Sequence, residues 1–386
     1  MRSKKAMALL LTGAALLGMT AAGCGSRIND DAVFATLDDT TISMGVANFF
    51  AKYEQSMYDS VYLTYFGEDM WNNDLYGSGN TLAQDVKEDI ADNIRTMYLL
   101  KAHMEEYGIS ISEEEEAAMA KAADDFIAAN SKEAIKQVGA ENKENVIEML
   151  RLSTIQQKMH DRIIEDADAE VTDEEAAQRT FSYVSINTDS RVDSESNTIE
   201  YTDEEKAALK ETAETISKAE DFEKAVEDAG YTVSTMSYGS AEDEDATMDT
   251  AVLTAADALK EGEVSDVIET ENACYVVRLD SEHDEEATAS KKESMISQKQ
   301  EDYYNDILDG WKEAAKWTIN ESEWEKVTFD SCRFASIQEE TETGSGEESG
   351  TESVSGTEST EEDGAESTQA ATESSQEASS EGTETE

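Results

Sequence analysis

Proline is absent from all 386 residues, where average usage of about 5% would give roughly 19. No slow prolyl isomerisation therefore attends the folding of this chain. Basic residues are scarce too, 30 Lys and Arg against 89 Asp and Glu, for a net charge of −59. Phosphate binding needs clustered cations, so nucleic acid and other polyanions are excluded as partners. Three cysteines, Cys24, Cys274 and Cys332, make no disulfide framework. Cys274 and Cys332 could pair in an oxidising exterior, but the preferred reading is free, buried thiols. There is no CxxC or HExxH, and His103, His160 and His283 stand far apart. No metal site and no cofactor is implied. Nor is there a Gly-x-Ser-x-Gly elbow or comparable nucleophile, which sets hydrolases aside.

What is present begins with a secretory signal: Arg2, Lys4 and Lys5, an apolar run from Ala6 to about Leu17, then small residues. The run is short for a membrane span. Ala21-Ala22-Gly23-Cys24 resembles the lipobox of bacterial lipoproteins, with Ala21 where leucine is usual. That resemblance implies cleavage before Cys24 and lipidation of its thiol, with two acyl chains holding the protein on the extracytoplasmic face of the membrane. An ordinary secretory signal with a chance cysteine is the alternative. At the other end, residues 334–386 are rich in Glu, Ser, Thr and Gly and have no Lys, and beyond Ser336 no Arg or aromatic residue either. Such a segment cannot bury enough apolar surface to fold and reads as a disordered, solvated spacer.

Between the ends, "AVFATLDDTTIS" reads as strand, Asp38-Asp39 turn and strand, leading into a helix capped by Ser43. Val86, Ile90, Ile94, Met97, Leu100 and Met104 form a helical stripe that stops at Gly108. Ser112 caps another helix with acids in its first turn. Met149, Leu152, Ile155, Met159 and Ile163 mark a further one. At "VTDEEAAQRTFSYVSI" the character changes: Thr172 is expected to cap a helix, and a strand follows from Phe181 to Ile186. A loop, two helices, a strand, a helix and two closing strands come next, an order typical of a small α+β domain with an antiparallel sheet. A final helix is expected to bury Ile296, Tyr303, Ile307 and Trp311.

The opening hairpin, the caps in "YGISISEEE" and "AEVTDEEAAQRTFSYVSI", and the closing "ALKEGEVSDVIETENACYVVRL" together resemble the SurA/PrsA-type foldases with their parvulin-type peptidyl-prolyl isomerase domain. The likeness spans most of residues 32–330. It implies an α+β chain: a helical chaperone module built from N- and C-terminal segments, with an inserted parvulin-like domain whose antiparallel four-stranded sheet has flanking helices. The corresponding boundaries are signal 1–23, helical segment 24–175, parvulin-like domain 176–284, returning helix 285–333 and tail 334–386. Unfolded or nascent secreted polypeptides are the implied partners, with the membrane reached through Cys24; homodimerisation is left open.

Matched position by position, the two family histidines fall on Tyr183 and Tyr275, and the methionine and phenylalanine of the proline pocket on Met248 and Val252. The family's Asp/Cys has no counterpart in "GYTVSTMSYG". Isomerase activity is therefore expected to be weak or lost, the domain then serving to bind clients or to hold the chaperone arms apart. The alternative is a cell-envelope ligand-binding or adhesion lipoprotein, although a solute receptor would need two α/β lobes. A proline-free chain spares a folding helper its own slow isomerisation, and compositional drift produces the same absence.

Overall fold

The computed structural model describes residues 16–19, 28–192, 196–240, 247–329 and 333–336. Expectations for Cys24, Cys332 and the tail beyond Ser336 fall outside these residues. After β1 (Leu16–Met19), β2 (Val33–Leu37) and β3 (Thr40–Ser43) pair through the Asp38-Asp39 turn. Asp38 adopts φ 49° there, a left-handed conformation that Asp tolerates better than most residues. The Ser43 hydroxyl accepts from the Val46 N–H at 3.3 Å and starts α1 (Met44–Phe66). A 3₁₀ turn, Met70–Asn72, precedes α2 (Leu82–His103), α3 (Glu113–Ala129), α4 (Lys132–Gln137) and α5 (Lys143–Ile164).

Capping boxes Thr81/Gln84 and Ser112/Glu115 fix the starts of α2 and α3. Of the α2 stripe, Val86, Ile90, Ile94, Met97 and Leu100 are buried, while Met104 lies past the helix end. Gly108, at φ 68°, turns the chain where a side chain would be strained.

The inserted region runs β4 (Arg179–Asn187), β5 (Ser190–Val192), β6 (Thr198–Glu200), α6 (Asp203–Ser217), α7 (Phe222–Asp228), β7 (Ser234–Tyr238), α8 (Thr250–Asp257), β8 (Ile268–Glu269) and β9 (Ala273–Ser281). Its four-stranded sheet has order β7-β4-β9-β8, every pairing antiparallel. Then α9 (Glu285–Ala314), β10 (Trp317–Ile319) and α10 (Glu321–Trp324) carry the chain back, and β11 (Arg333–Ser336) pairs with β1.

The return closes the helical module. β10 adds a third strand to the opening hairpin, Trp317 opposite Leu37 and Ile319 opposite Ala35. Phe34 meets Trp324 edge-on at 4.8 Å. Ile94 and Leu152 share one interior with Trp324, Val327 and Phe329, and Trp311 packs against it. Leu100, Ile155, Met159 and Ile163 close on Tyr304 and Leu308. Polar joints follow the same seam: the Arg95 guanidinium donates to the Lys312 carbonyl, and Lys312 meets Asp92 at 2.7 Å. His103 stacks on Trp311 at 4.0 Å, and His160 faces Glu301 at 3.1 Å.

Three local expectations are corrected. Thr172 and Glu175 do form the reciprocal cap, but the Thr172 segment makes one turn, not a helix, before the chain extends into β4 at Arg179. The expected loop after β4 contains the exposed hairpin β5–β6, anchored by Arg191 on Glu205 at 2.7 Å. On α9 the fully buried positions are Tyr304 and Leu308; Tyr303, Ile307 and Trp311 flank them, half-buried.

Candidate functional site

Strand alternation sorts the inserted sheet into two faces. Val184, Ile186, Cys274 and Val276 point toward α6 and α7, where they pack with Ile216, Phe222 and Val226. Phe181, Val277 and Leu279 point the other way and lie with Val252, Leu253 and Ala256 of α8. Tyr183 and Tyr275 belong to this second face, half-buried at its rim.

Register explains their approach. Tyr183 stands opposite Val277, and Tyr275 opposite Ser185, so the two tyrosines are diagonal neighbours on adjacent strands. Their ring centroids lie 6.2 Å apart at 39°. Phe181 adds a third ring 5.7 Å from Tyr183, and Tyr238 a fourth, 5.3 Å from Phe181. Asp249 caps α8 by accepting from the Ala251 N–H at 2.8 Å. That start delivers Val252, fully buried, onto the sheet and leaves Met248 half-buried against the same cluster.

The four residues singled out by family position, Tyr183, Tyr275, Met248 and Val252, thus lie in one cluster. Sequence reading missed Phe181, Met236 and Ile268, which complete it. Alternation along β4 is the signal that would have found Phe181. The second half of the segment "GYTVSTMSYG" forms the edge strand β7, and Met236 comes from it.

Around the far end of α8 the contacts are polar. Tyr238 Oη donates to Asp257 at 2.8 Å, and burial, with that hydrogen bond, pushes the Tyr238 phenol well above its ordinary range. The Arg179 guanidinium reaches Asp257 Oδ1 at 3.3 Å and the Leu259 carbonyl at 3.2 Å, bolting helix to sheet. Beyond α8, Gly262, at φ 84°, turns the chain so that its N–H meets the Leu279 carbonyl at 2.7 Å. Ser265 then bonds Val277 through both its N–H and its Oγ, extending the line of β8 along β9. Cys274, on the opposite face, is a free, buried thiol, pushed up by burial and then by Glu269.

Chemically, the rim offers an apolar floor and two phenols. Among the described residues neither the Tyr183 nor the Tyr275 hydroxyl has a hydrogen-bond partner, so each is open to an incoming group. A phenol supplies one O–H donor, whereas an imidazole supplies two ring nitrogens whose roles interchange. The described residues hold no cluster of three or more His, Cys, Asp or Glu suited to a metal ion, and no described helix is long and apolar enough to cross a membrane.

No curated protein matches the chain. Among solved structures, the foldase protein PrsA of Lactococcus lactis is similar at 15% identity, covering 77% of this chain and 97% of that one, with a TM-score of 0.33. PrsA of Streptococcus pneumoniae is similar at 21% identity, covering 67% and 98%, with a TM-score of 0.28. At those scores the likeness carries no further weight. The family match is local and direct: residues 171–291 fit the PPIC-type PPIase domain. Beginning at the Thr172 turn and ending inside α9, that match takes in the whole four-stranded sheet with both its faces, and over these residues the chain is similar to the PPIC-type PPIase domain.

Proposed function

We propose that the chain is a PrsA-like extracytoplasmic folding helper, held to the membrane by a lipid on Cys24, whose isomerase domain engages polypeptides with its imidazole chemistry weakened or lost. One observation carries the reading: Tyr183, Tyr275, Met248 and Val252 converge on one face of the sheet, and the family resemblance gives the two tyrosine positions to histidine. Rotating a prolyl amide crosses a barrier of about 18–20 kcal/mol. An apolar floor can hold the proline ring, and a phenol can donate one hydrogen bond to a carbonyl turning out of conjugation. Val252 in place of a phenylalanine leaves one wall of such a pocket short. Clients are unfolded secreted polypeptides, for which the helical module supplies the larger surface.

Two assays on the mature chain test this. Suppression of aggregation of a reduced, unfolded protein at stoichiometric amounts is expected, and failure there contradicts the folding-helper role. Cis-to-trans exchange of an Ala-Pro peptide is expected to gain little or nothing; acceleration at the level of a histidine-bearing parvulin contradicts the loss of catalysis. Release from membranes by a Cys24→Ser substitution tests the anchor.

A further inference from the structure

We propose that the distal half of α1, from Met57 to Phe66, is a docking ledge for unfolded client segments that carry Lys or Arg beside aromatic or aliphatic residues. The inference names a client class for the folding-helper reading and rests on it.

An aromatic ladder forms the ledge. Phe66, Tyr62 and Tyr58 follow one another at 6.0 and 5.5 Å along one line of the helix. Tyr58 then meets Trp71 at 5.5 Å, and Trp71 meets Phe329 at 4.5 Å, both fully buried. The inner rungs anchor the outer ones to the core of the helical module. Outside, Tyr65 is 80% exposed, Phe66 52% and Val61 50%. Tyr76 stands across from them with its hydroxyl 3.3 Å from that of Tyr58. Isolated apolar residues on a surface are ordinary, but a contiguous run of large ones marks a place where another chain is bound.

Charge identifies the occupant. No Lys, Arg or His occurs between Lys52 and Lys87, whereas Glu54, Glu68, Asp69, Asp74 and Asp85 all do. Glu54 and the nearby Asp89 flank Tyr58: burial and then Asp89 push the Glu54 carboxyl up, and both acids act on the Tyr58 phenol. Among the described residues neither Glu54 nor Asp89 has an ion-pair partner. Carboxylates without an ion-pair partner beside aromatic rings are the complement of an ammonium or guanidinium group, which both the anions and the ring faces attract. A second copy of the chain, at net charge −59, is repelled from this surface. A cationic, partly apolar foreign segment is the occupant that fits.

Binding to the full mature chain can be read by fluorescence anisotropy with two dye-labelled, unstructured peptides, one alternating Lys with Phe and Leu, the other with Glu at every Lys. At low salt the Lys peptide is expected to bind about ten-fold tighter or better, and a Tyr62→Ser/Tyr65→Ser/Phe66→Ser variant to lose about ten-fold of that affinity. A Glu54→Gln/Asp89→Asn variant narrows the difference between the peptides. The triple variant changes exposed side chains, and an unchanged thermal melt verifies its fold. Equal affinity for both peptides overturns the proposal, as does full binding by the triple variant. Aggregation suppression with no peptide preference removes the ledge and leaves the folding-helper role standing; peptide preference without suppression does the reverse.

Discussion

The two faces of the inserted sheet are built from the same strands and end differently. Toward α6 and α7 the apolar side chains of β4 and β9, Val184, Ile186, Cys274 and Val276, are all buried. Toward α8 the cover is complete over Phe181, Val277 and Leu279 but runs out at Tyr183 and Tyr275. A two-residue step along each strand thus separates core from rim. Shape in this domain is stored in the closed face and in the shelter of α8, and neither depends on what stands at the rim. That independence lets the rim residues vary without loss of the fold.

The largest expected effect lies in the closed face. Ile186→Ala, at a fully buried position, is expected to destabilise the domain by about 2–5 kcal/mol in denaturant titration. Tyr275→Phe removes only a hydroxyl without a described partner and is expected to cost less than about 0.5 kcal/mol. Similar costs for the two would erase the distinction between faces.

Next comes the boundary of the shelter. Val252→Phe adds the bulk that the family resemblance gives to the pocket wall, at a position that is fully buried. Overpacking is expected to cost about 1–3 kcal/mol, and a neutral result would show that the site extends under α8.

Acid sensitivity is expected to belong to the helical module. Burial pushes the Glu148 carboxyl up, but Lys101 at 2.6 Å and Arg151 more than offset this and hold it below its ordinary value of 4.5. A carboxyl depressed in the folded state adds stability above its unfolded pKa and loses it as pH falls through the folded one. Stability should therefore decline below about pH 4.5, and less steeply in Glu148→Gln. The partial exposure of Lys101 limits the difference to about 1 kcal/mol. An unchanged acid limb in Glu148→Gln would move the sensitivity elsewhere. The smallest effect is at the β5–β6 hairpin, where Arg191→Ala should shift the melting curve by less than about 0.5 kcal/mol.

Much of this was legible in the sequence because local rules agree with the fold. Ser43, Thr81 and Ser112 cap helices where short hydroxyl side chains precede apolar periodicity. The α2 and α5 stripes are buried nearly residue for residue. Other features rest on distant partners, which periodicity does not encode. β10 is three residues long and becomes a strand only because β2 offers it an edge. Thr172 carries every cap signal, yet β4 pulls the chain straight within two turns of it. The α9 stripe shifts by one position because the groove between α2 and α5 receives Tyr304 and Leu308. At the rim, Tyr183 and Tyr275 stand out in the sequence only against the family resemblance. That the tyrosines meet at 6.2 Å and share their floor with Phe181 needed the register of β4 on β9.

The most direct measurement is two-dimensional exchange NMR of an X-Pro peptide mixed with the mature chain, with the protein's own resonances followed in the same samples. The account predicts perturbed signals at Tyr183, Tyr275 and Met248, quiet signals at Ile186 and Val276, and an exchange rate close to that of the free peptide. Perturbation of the α6–α7 face, or exchange accelerated by orders of magnitude at catalytic amounts of protein, would contradict it.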